Sequence, residues 1–257
     1  MTRPLALASL AVLVAATPAS AGAPERTLSV AAAANLKIAM QALKEGFEAE
    51  RPGIEVAVTT GASGNFLAQI QNGAPFDVFF SADREYAQKL VEAGLASGDG
   101  EVVYAIGTLV VWTPKGSALA LEKKGLAALT DPAVKRIAMA NPAVAPYGRA
   151  AEAALRAAGL LDSLKERLVL GQNVSQAAQF AQSGAAEAAF IPRSLTFSPA
   201  LRDGRVYTVP ASSYPRLEQA AVVLRAARSP ALARAFVAFV TGPKGKAILT
   251  RYGYELP

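Results

Sequence analysis

The sequence contains neither cysteine nor histidine among its 257 residues. The absence of cysteine excludes disulfides, thiolate nucleophiles and thiolate metal sites. The absence of histidine removes the usual general base and the commonest metal ligand. A secreted hydrolase would then need a Ser–Lys pair, and Ser63, the serine at the most suitable turn, has no lysine near it in sequence. These absences favour a binding protein over an enzyme.

Aromatic residues and clustered positive charge are also scarce. Aromatic residues make up 7% of the chain, and 26 Lys and Arg against 20 Asp and Glu give a net charge of +6. The excess is scattered, with no basic block beyond pairs such as Lys123–Lys124. Nucleic acid is therefore not an expected partner, whereas a mild attraction for anions is.

The N-terminus has the pattern of a targeting segment. Arg3 forms a short positive region, residues 5–16 form an apolar region, and Ala19-Ser20-Ala21 is an A-x-A cleavage site. The apolar region is shorter than the ~20 residues of a membrane span. The pattern predicts a signal peptide over residues 1–21 and a periplasmic protein that begins near Gly22. The alternative is an N-terminal anchor that is retained.

Strand-like and helical patterns alternate along the next part of the chain. Apolar runs at Leu28–Val30, 54–58 and 76–80 are each followed by residues at helical spacing, such as Leu36, Met40 and Leu43 after the first run. Successive strand–helix units indicate an α/β fold with a mostly parallel sheet.

Two long β segments suggest a division into two lobes. Residues 102–113 and 219–224 bracket a complete α/β unit, and each is a possible crossing between two sheets. We therefore expect two lobes joined by a double hinge near Gly107 and residues 214–219. The expected bounds are 22–105 with 218–257 for lobe 1, and 106–217 for lobe 2.

Four turns that lead into predicted helices share one chemistry. They are Ala34-Asn35, Ala62-Ser63, Pro146-Tyr147-Gly148 and Asn173-Val174-Ser175. Small or polar residues leave the first N–H groups of each helix accessible, and we expect Asn35 to act as an N-cap. Taken singly, each turn is an ordinary helix start. Together they predict an anion site made of backbone amides, neutral side chains and helix dipoles.

Several runs resemble the family of periplasmic molybdate-binding proteins, the substrate-binding components of molybdate ABC transporters. The resemblance covers essentially the whole chain after the targeting segment, and it implies the type II periplasmic-binding fold with molybdate or tungstate held between two lobes. The runs are AAAANLKIAM (31–40), TGASGNFLAQI (60–70), GAPFDVFFSAD (73–83), NPAVAPYGRAA (141–151) and GPKGKAILTRYGY (242–254).

The resemblance also implies a set of ligand residues. Asn35 and Ser63, with Ala34 beside them, come from lobe 1, while Tyr147 and Val174 come from lobe 2 and act through backbone N–H groups. The molybdenum would be held as its oxyanion without direct coordination to the protein, and no cofactor is implied. The expected partner is the membrane permease of an ABC importer, and the protein is expected to be a monomer.

Two positions depart from the family pattern. Ala34 stands where some members have a hydroxyl residue, and Pro192 stands where others have a tyrosine that reaches the oxyanion. The chain thus fits the branch of the family that has asparagine beside the first turn.

The ligand residues that the resemblance implies suit an anion that only accepts hydrogen bonds. Molybdate near neutral pH is a fully deprotonated dianion, whereas monohydrogen phosphate carries a proton that needs an acceptor, and none of these positions is a carboxylate. Sulfate is aprotic too and would have to be rejected by its smaller size. Binding of another oxyanion, such as sulfate or phosphate, stays open as the alternative. A ferric-iron carrier fits less well, because histidine is absent and Tyr147 has no obvious companion.

Overall fold

The computed structural model describes residues 27–97 and 101–257. The predicted signal peptide, residues 1–21, lies outside the described residues. The strands found in these ranges are β1 (Thr27–Ala33), β2 (Glu55–Gly61), β3 (Val78–Phe80), β4 (Val102–Gly107), β5 (Leu109–Thr113), β6 (Ile137–Ala140), β7 (Leu168–Gly171), β8 (Ala188–Pro192), β9 (Arg205–Thr208) and β10 (Leu217–Val223).

The helices in the same ranges surround these strands. They are α1 (Lys37–Glu50), α2 (Ser63–Gln71), α3 (Arg84–Glu92), α4 (Leu121–Lys124), α5 (Pro146–Ala157), α6 (Leu161–Leu164), α7 (Val174–Gln182), α8 (Pro230–Thr241) and α9 (Pro243–Arg251). Within this part of the chain, no helix combines the length and the apolar character that crossing a membrane requires.

The strands form two five-stranded sheets, in the orders β2-β1-β3-β10-β4 and β7-β6-β8-β5-β9. In the first sheet β1 pairs in parallel with β2 and β3, and β10 runs antiparallel to β3 and β4. In the second sheet β6 is parallel to β7 and β8, and β5 is antiparallel to β8 and β9. The predicted α/β fold of two lobes, each a mostly parallel sheet flanked by helices, is confirmed, and in each sheet one strand, β10 or β5, runs against the other four.

Each sheet carries its own large buried side chains, and the apolar cluster of the second lobe extends to first-lobe alanines where the lobes meet. In the first lobe the rings of Phe47 and Phe236 meet edge-to-face at 5.0 Å, and Phe80 contacts Phe236 at 5.7 Å. In the second, alanines of α5 and α7 are buried against β6 and β8 together with Phe190. Small alanine side chains allow helix and sheet to approach closely, so the ends of both helices are held firmly at the sheet edge.

The chain passes between the sheets twice. The apolar run 102–113 is divided into two strands. As predicted, it passes from one sheet to the other: β4 ends at Gly107 in the first sheet, and β5 begins at Leu109 in the second. The strand predicted at 219–224 does not itself cross, because β10 lies wholly in the first sheet; the return is made by residues 209–216, which overlap the predicted hinge at 214–219. β4 also continues slightly beyond the expected boundary at residue 105. The lobe bounds therefore stay a proposal, with the crossings at these two segments.

The first helix start differs from expectation for a physical reason. β1 extends beyond the predicted run Leu28–Val30 through alanines 31–33, because β2 pairs with all three and β3 pairs with Ala31 and Ala32. Pairing on two sides overrides the weak β propensity of alanine. A short 3₁₀ turn, Ala34–Leu36, then leads into α1 at Lys37. The turn predicted at Pro146-Tyr147-Gly148 is already the first turn of α5, which begins at Pro146, a position where the missing N–H of proline costs nothing.

Candidate functional site

The four predicted turns meet at one small cavity between the lobes. All five site residues expected from the sequence, Ala34, Asn35, Ser63, Tyr147 and Val174, line it. Its volume is about 10 Å³, close to the roughly 10–15 Å³ needed for one water-sized guest. The two lobes therefore meet around a small space at their helix starts.

Ser63 is the first residue of α2 and is almost completely buried. Its Oγ accepts a hydrogen bond from the backbone N–H of Ala82 at 3.0 Å. This contact fixes the hydroxyl oxygen and leaves the hydroxyl hydrogen to be donated elsewhere. Ser63 can therefore supply an oriented O–H donor to a guest in the cavity.

Asn35 lies in the 3₁₀ turn and does not cap α1, so the prediction of an N-cap is wrong. The cap positions are Ala33 and Leu36, and neither helix start has a side-chain cap. The Asn35 Nδ2 instead donates to Gln219 Oε1 and to the Tyr254 hydroxyl, both at 2.8 Å. Its Oδ1 is buried without a hydrogen-bond partner among the described residues. The side chain is held by tertiary contacts that no local pattern encodes.

In the second lobe the helix starts offer backbone amides. Asn173 is the N-cap of α7, and its Oδ1 accepts from the N–H groups of Ser175 at 2.9 Å and Gln176 at 3.1 Å. The cap leaves the N–H of Val174 without a partner in the part of the chain that the structure describes. An apolar side chain is therefore no obstacle to a donor role at this position.

Tyr147 lies near the start of α5, and its side chain hydrogen-bonds to Gln219. Its hydroxyl accepts from Gln219 Nε2 at 3.1 Å. Its own N–H is one of the first-turn amides of α5, which have no partner inside the helix. Burial raises the pKa of the Tyr147 hydroxyl well above its usual value, so the group remains neutral. The role expected for Tyr147, an amide donor, is compatible with this arrangement.

The residues that line the cavity contribute dipoles and no charges. None of its lining residues carries a charge, and helices α2, α5 and α7 together with the 3₁₀ turn point their N-terminal ends at it. Each helix N-terminus carries a partial positive charge and free N–H groups. The site can therefore stabilise a small anion, and its lining residues offer neither a carboxylate for general-base chemistry nor a protonated partner.

Near Pro192, which departs from the expected family pattern, Ser194 makes a contact between the lobes. Pro192 ends β8, and two residues later the Ser194 Oγ donates to the backbone oxygen of Asn35 at 2.8 Å. The segment after β8 therefore ties the second lobe to the first-lobe turn.

Sequence reasoning missed the contacts that join the lobes beside the cavity. Arg149 of α5 forms an ion pair with Asp83 and donates to the Tyr86 hydroxyl at 2.7 Å. Burial opposes the charge of Arg149, but its hydrogen bonds and the nearby carboxylate outweigh burial and raise its pKa. The N–H of Gly64 donates to the Val144 oxygen at 2.9 Å. No local signal pairs these residues, because the partners lie far apart in sequence.

Comparison with known proteins gives a consistent result. Residues 28–255 match the family described as bacterial extracellular solute-binding protein. The molybdate-binding protein ModA of Azotobacter vinelandii is 36% identical over 251 residues, covering 97% of this chain and 98% of that protein. ModA of Rhodobacter capsulatus is also 36% identical, over 80% of this chain and 79% of its own length. The solved Azotobacter vinelandii periplasmic molybdate-binding protein superposes with a TM-score of 0.83, covering 90% of this chain and 99% of that one.

Proposed function

Since the chain belongs to the family of bacterial extracellular solute-binding proteins, we propose that it captures molybdate between its two lobes and delivers it to an ABC importer. Relatives that span nearly its whole length are named for molybdate binding, and the protein is a binding protein rather than an enzyme. The observation that carries the proposal is the convergence of four uncharged helix starts on one small cavity.

The donor set explains the choice of anion. The backbone amides and the Ser63 hydroxyl at these helix starts are N–H and O–H donors, which suit a dianion whose four oxygens all accept. Hydrogen bonds to a charged group contribute about 1.5–3 kcal/mol each. Monohydrogen phosphate would also bring a donor, and the cavity lining contains no carboxylate to accept it. Tungstate has nearly the same size and charge as molybdate, and we include it in the proposal.

We also propose how the anion is held and where the protein acts. Asn35, Ser63, Tyr147 and Val174 hold the oxyanion, with the backbone of Ala34 beside them, and the molybdenum itself touches no protein atom. The protein acts in the periplasm as a monomer and meets a membrane permease. Neutral dipoles supplied by two lobes suit a carrier, because they are separated from the anion when the lobes part.

A panel of anions tests the proposed ligand. We expect molybdate and tungstate at 100 times their Kd to stabilise the folded protein by about 2.7 kcal/mol, which thermal unfolding detects as a higher Tm. Sulfate and phosphate at equal concentration are expected to leave the Tm unchanged. A shift with sulfate or phosphate and none with molybdate would assign the protein to the alternative oxyanion class.

Affinity for dilute molybdate is expected to be constant from about pH 6 to pH 9, a range in which no side chain of the site has its usual pKa. The chain lacks histidine. Burial raises the pKa of Tyr104 and Tyr147 further from this range. Titration calorimetry across the range checks the expectation, and a tenfold change in Kd would show that a titrating group contacts the anion.

A further inference from the structure

A buried polar cluster lies directly behind the cavity, and Gln219 is at its centre. The side chain of Gln219 is completely buried, at a point in β10 where the register with β4 shifts. Its Oε1 accepts from Asn35 Nδ2 at 2.8 Å and from the Tyr104 hydroxyl at 2.9 Å, and its Nε2 donates to Tyr147. Gln219 therefore touches one residue of the proposed site from each lobe.

The hydrogen-bond pattern of this cluster leaves one group unsatisfied. Both Nδ2 hydrogens of Asn35 are taken, by Gln219 and by Tyr254, and the buried Asn35 Oδ1 has no donor among the described residues. Such an unpaired buried oxygen is unfavourable. It is also the wrong group for the site, because a carbonyl oxygen repels an anion that only accepts hydrogen bonds.

Turning both amides by 180° keeps each contact between members of the cluster without moving a heavy-atom position, and it replaces the unpaired acceptor by an unpaired donor. Gln219 Nε2 then donates to Asn35 Oδ1 and to the Tyr104 hydroxyl, which itself donates to the Ser81 oxygen at 3.0 Å. Gln219 Oε1 accepts from the Tyr147 hydroxyl. In this arrangement Asn35 Nδ2 occupies the position of the unpaired oxygen and becomes a free donor.

The other hydroxyl groups of the cluster can reorient their hydrogens when the two amides are turned. Tyr254 turns its hydrogen from the Asn35 backbone oxygen to Asn35 Oδ1, while Ser194 continues to donate to the backbone oxygen at 2.8 Å. Burial raises the pKa of Tyr104, Tyr147 and Tyr254, so these hydroxyls keep their hydrogens. The residues that hydrogen-bond to Gln219 are thus all uncharged.

We propose that Gln219 is a positioning residue for the oxyanion: it fixes the Asn35 amide with its NH₂ group toward the guest and ties this orientation to Tyr147 across the lobes. The proposal rests on the proposed function. Gly107 makes the arrangement possible, since a Cβ there would lie 2.0 Å from the Tyr147 hydroxyl and 2.5 Å from Gln219 Nε2. The cluster therefore packs directly against the first crossing between the lobes.

Two substitutions of Gln219 test this role. Gln219→Met keeps the volume but cannot orient Asn35, so the Kd for molybdate is expected to rise about tenfold or more. Gln219→Glu has nearly the same shape. As a carboxylate at pH 8.5 it only accepts, so it holds the Asn35 NH₂ away from the guest, and we expect a loss of about 100-fold.

The pH dependence of Gln219→Glu separates positioning from mere support of the fold. Lowering the pH to 6 protonates a buried glutamate, whose O–H can donate to Asn35 as the amide does, so affinity is expected to recover at least about tenfold. The wild type and Gln69→Glu, an exposed position on α2, should show no such recovery. Wild-type affinity in both variants, or a loss in Gln219→Glu that is equal at both pH values, would overturn the proposal.

A measurement on the wild-type protein avoids dependence on the folding of these variants. Side-chain NH₂ signals of Asn35 and Gln219, followed by ¹⁵N NMR, are expected to shift together when molybdate is added. A shift of the Asn35 signal alone would overturn the role of Gln219. If the wild type does not bind molybdate in calorimetry, it is the proposed function that fails.

Discussion

Replacing Ser63 by alanine is expected to weaken molybdate binding about 10- to 150-fold, the equivalent of one hydrogen bond to a charged group at about 1.5–3 kcal/mol. The Ser63 hydroxyl oxygen is fixed by the Ala82 N–H, so its hydrogen is oriented before a guest arrives. Such a donor loses little entropy on binding. Isothermal titration calorimetry measures the change directly.

The matched control is Val174→Ala, which removes a side chain but keeps the N–H at the start of α7. We expect a change of a few-fold at most, since only the backbone of Val174 is assigned to the anion. Asn35→Ala should resemble Ser63→Ala, because it removes a donor and breaks the contacts with Gln219 and Tyr254. If Val174→Ala caused the larger loss, the assignment of roles between side chains and backbone would be wrong.

Replacing Gly64 by valine is expected to raise the Kd for molybdate about 5- to 150-fold by preventing the lobes from meeting. A Cβ at Gly64 would lie 2.9 Å from the Val144 oxygen and 3.0 Å from its Cα, both backbone atoms of the other lobe. Overpacking of this kind costs about 1–3 kcal/mol. The same side chain would crowd the Tyr86 hydroxyl, to which Arg149 donates.

The effect of Gly64→Val should lie mainly in the dissociation rate, since a guest held by two lobes leaves when they separate. Stopped-flow release of molybdate measures this rate. The control is Gly116→Val, at an exposed glycine where a Cβ would meet no atom of the described residues within 4 Å and where the backbone φ is not positive. Unchanged release from Gly64→Val would mean that contact between Gly64 and Val144 is not needed to retain the anion.

Local sequence patterns predicted much of the fold. The alternation of apolar runs and helical spacing identified β3 and α2, and the unbroken run 102–113 indicated a passage between two sheets. The predictions were wrong where the pairing of strands determined the structure. Alanines 31–33 join β1 because β2 and β3 flank them, and β10 lies in the first sheet because its partners do. A sequence pattern describes one segment and contains no information about which strands adjoin it.

The sequence by itself determined the kind of chemistry available. The lack of cysteine and histidine excluded most catalytic and metal sites, and the small polar residues at four helix starts indicated neutral anion donors. Only the tertiary structure decided how these residues act. Asn35 does not cap a helix but contacts Gln219, 184 positions further along the chain, and Gly64 and Arg149 join the lobes around the cavity. Such contacts depend on which distant segments pack together, because side-chain hydrogen bonds of a few ångströms require a precise approach that the folded chain alone provides.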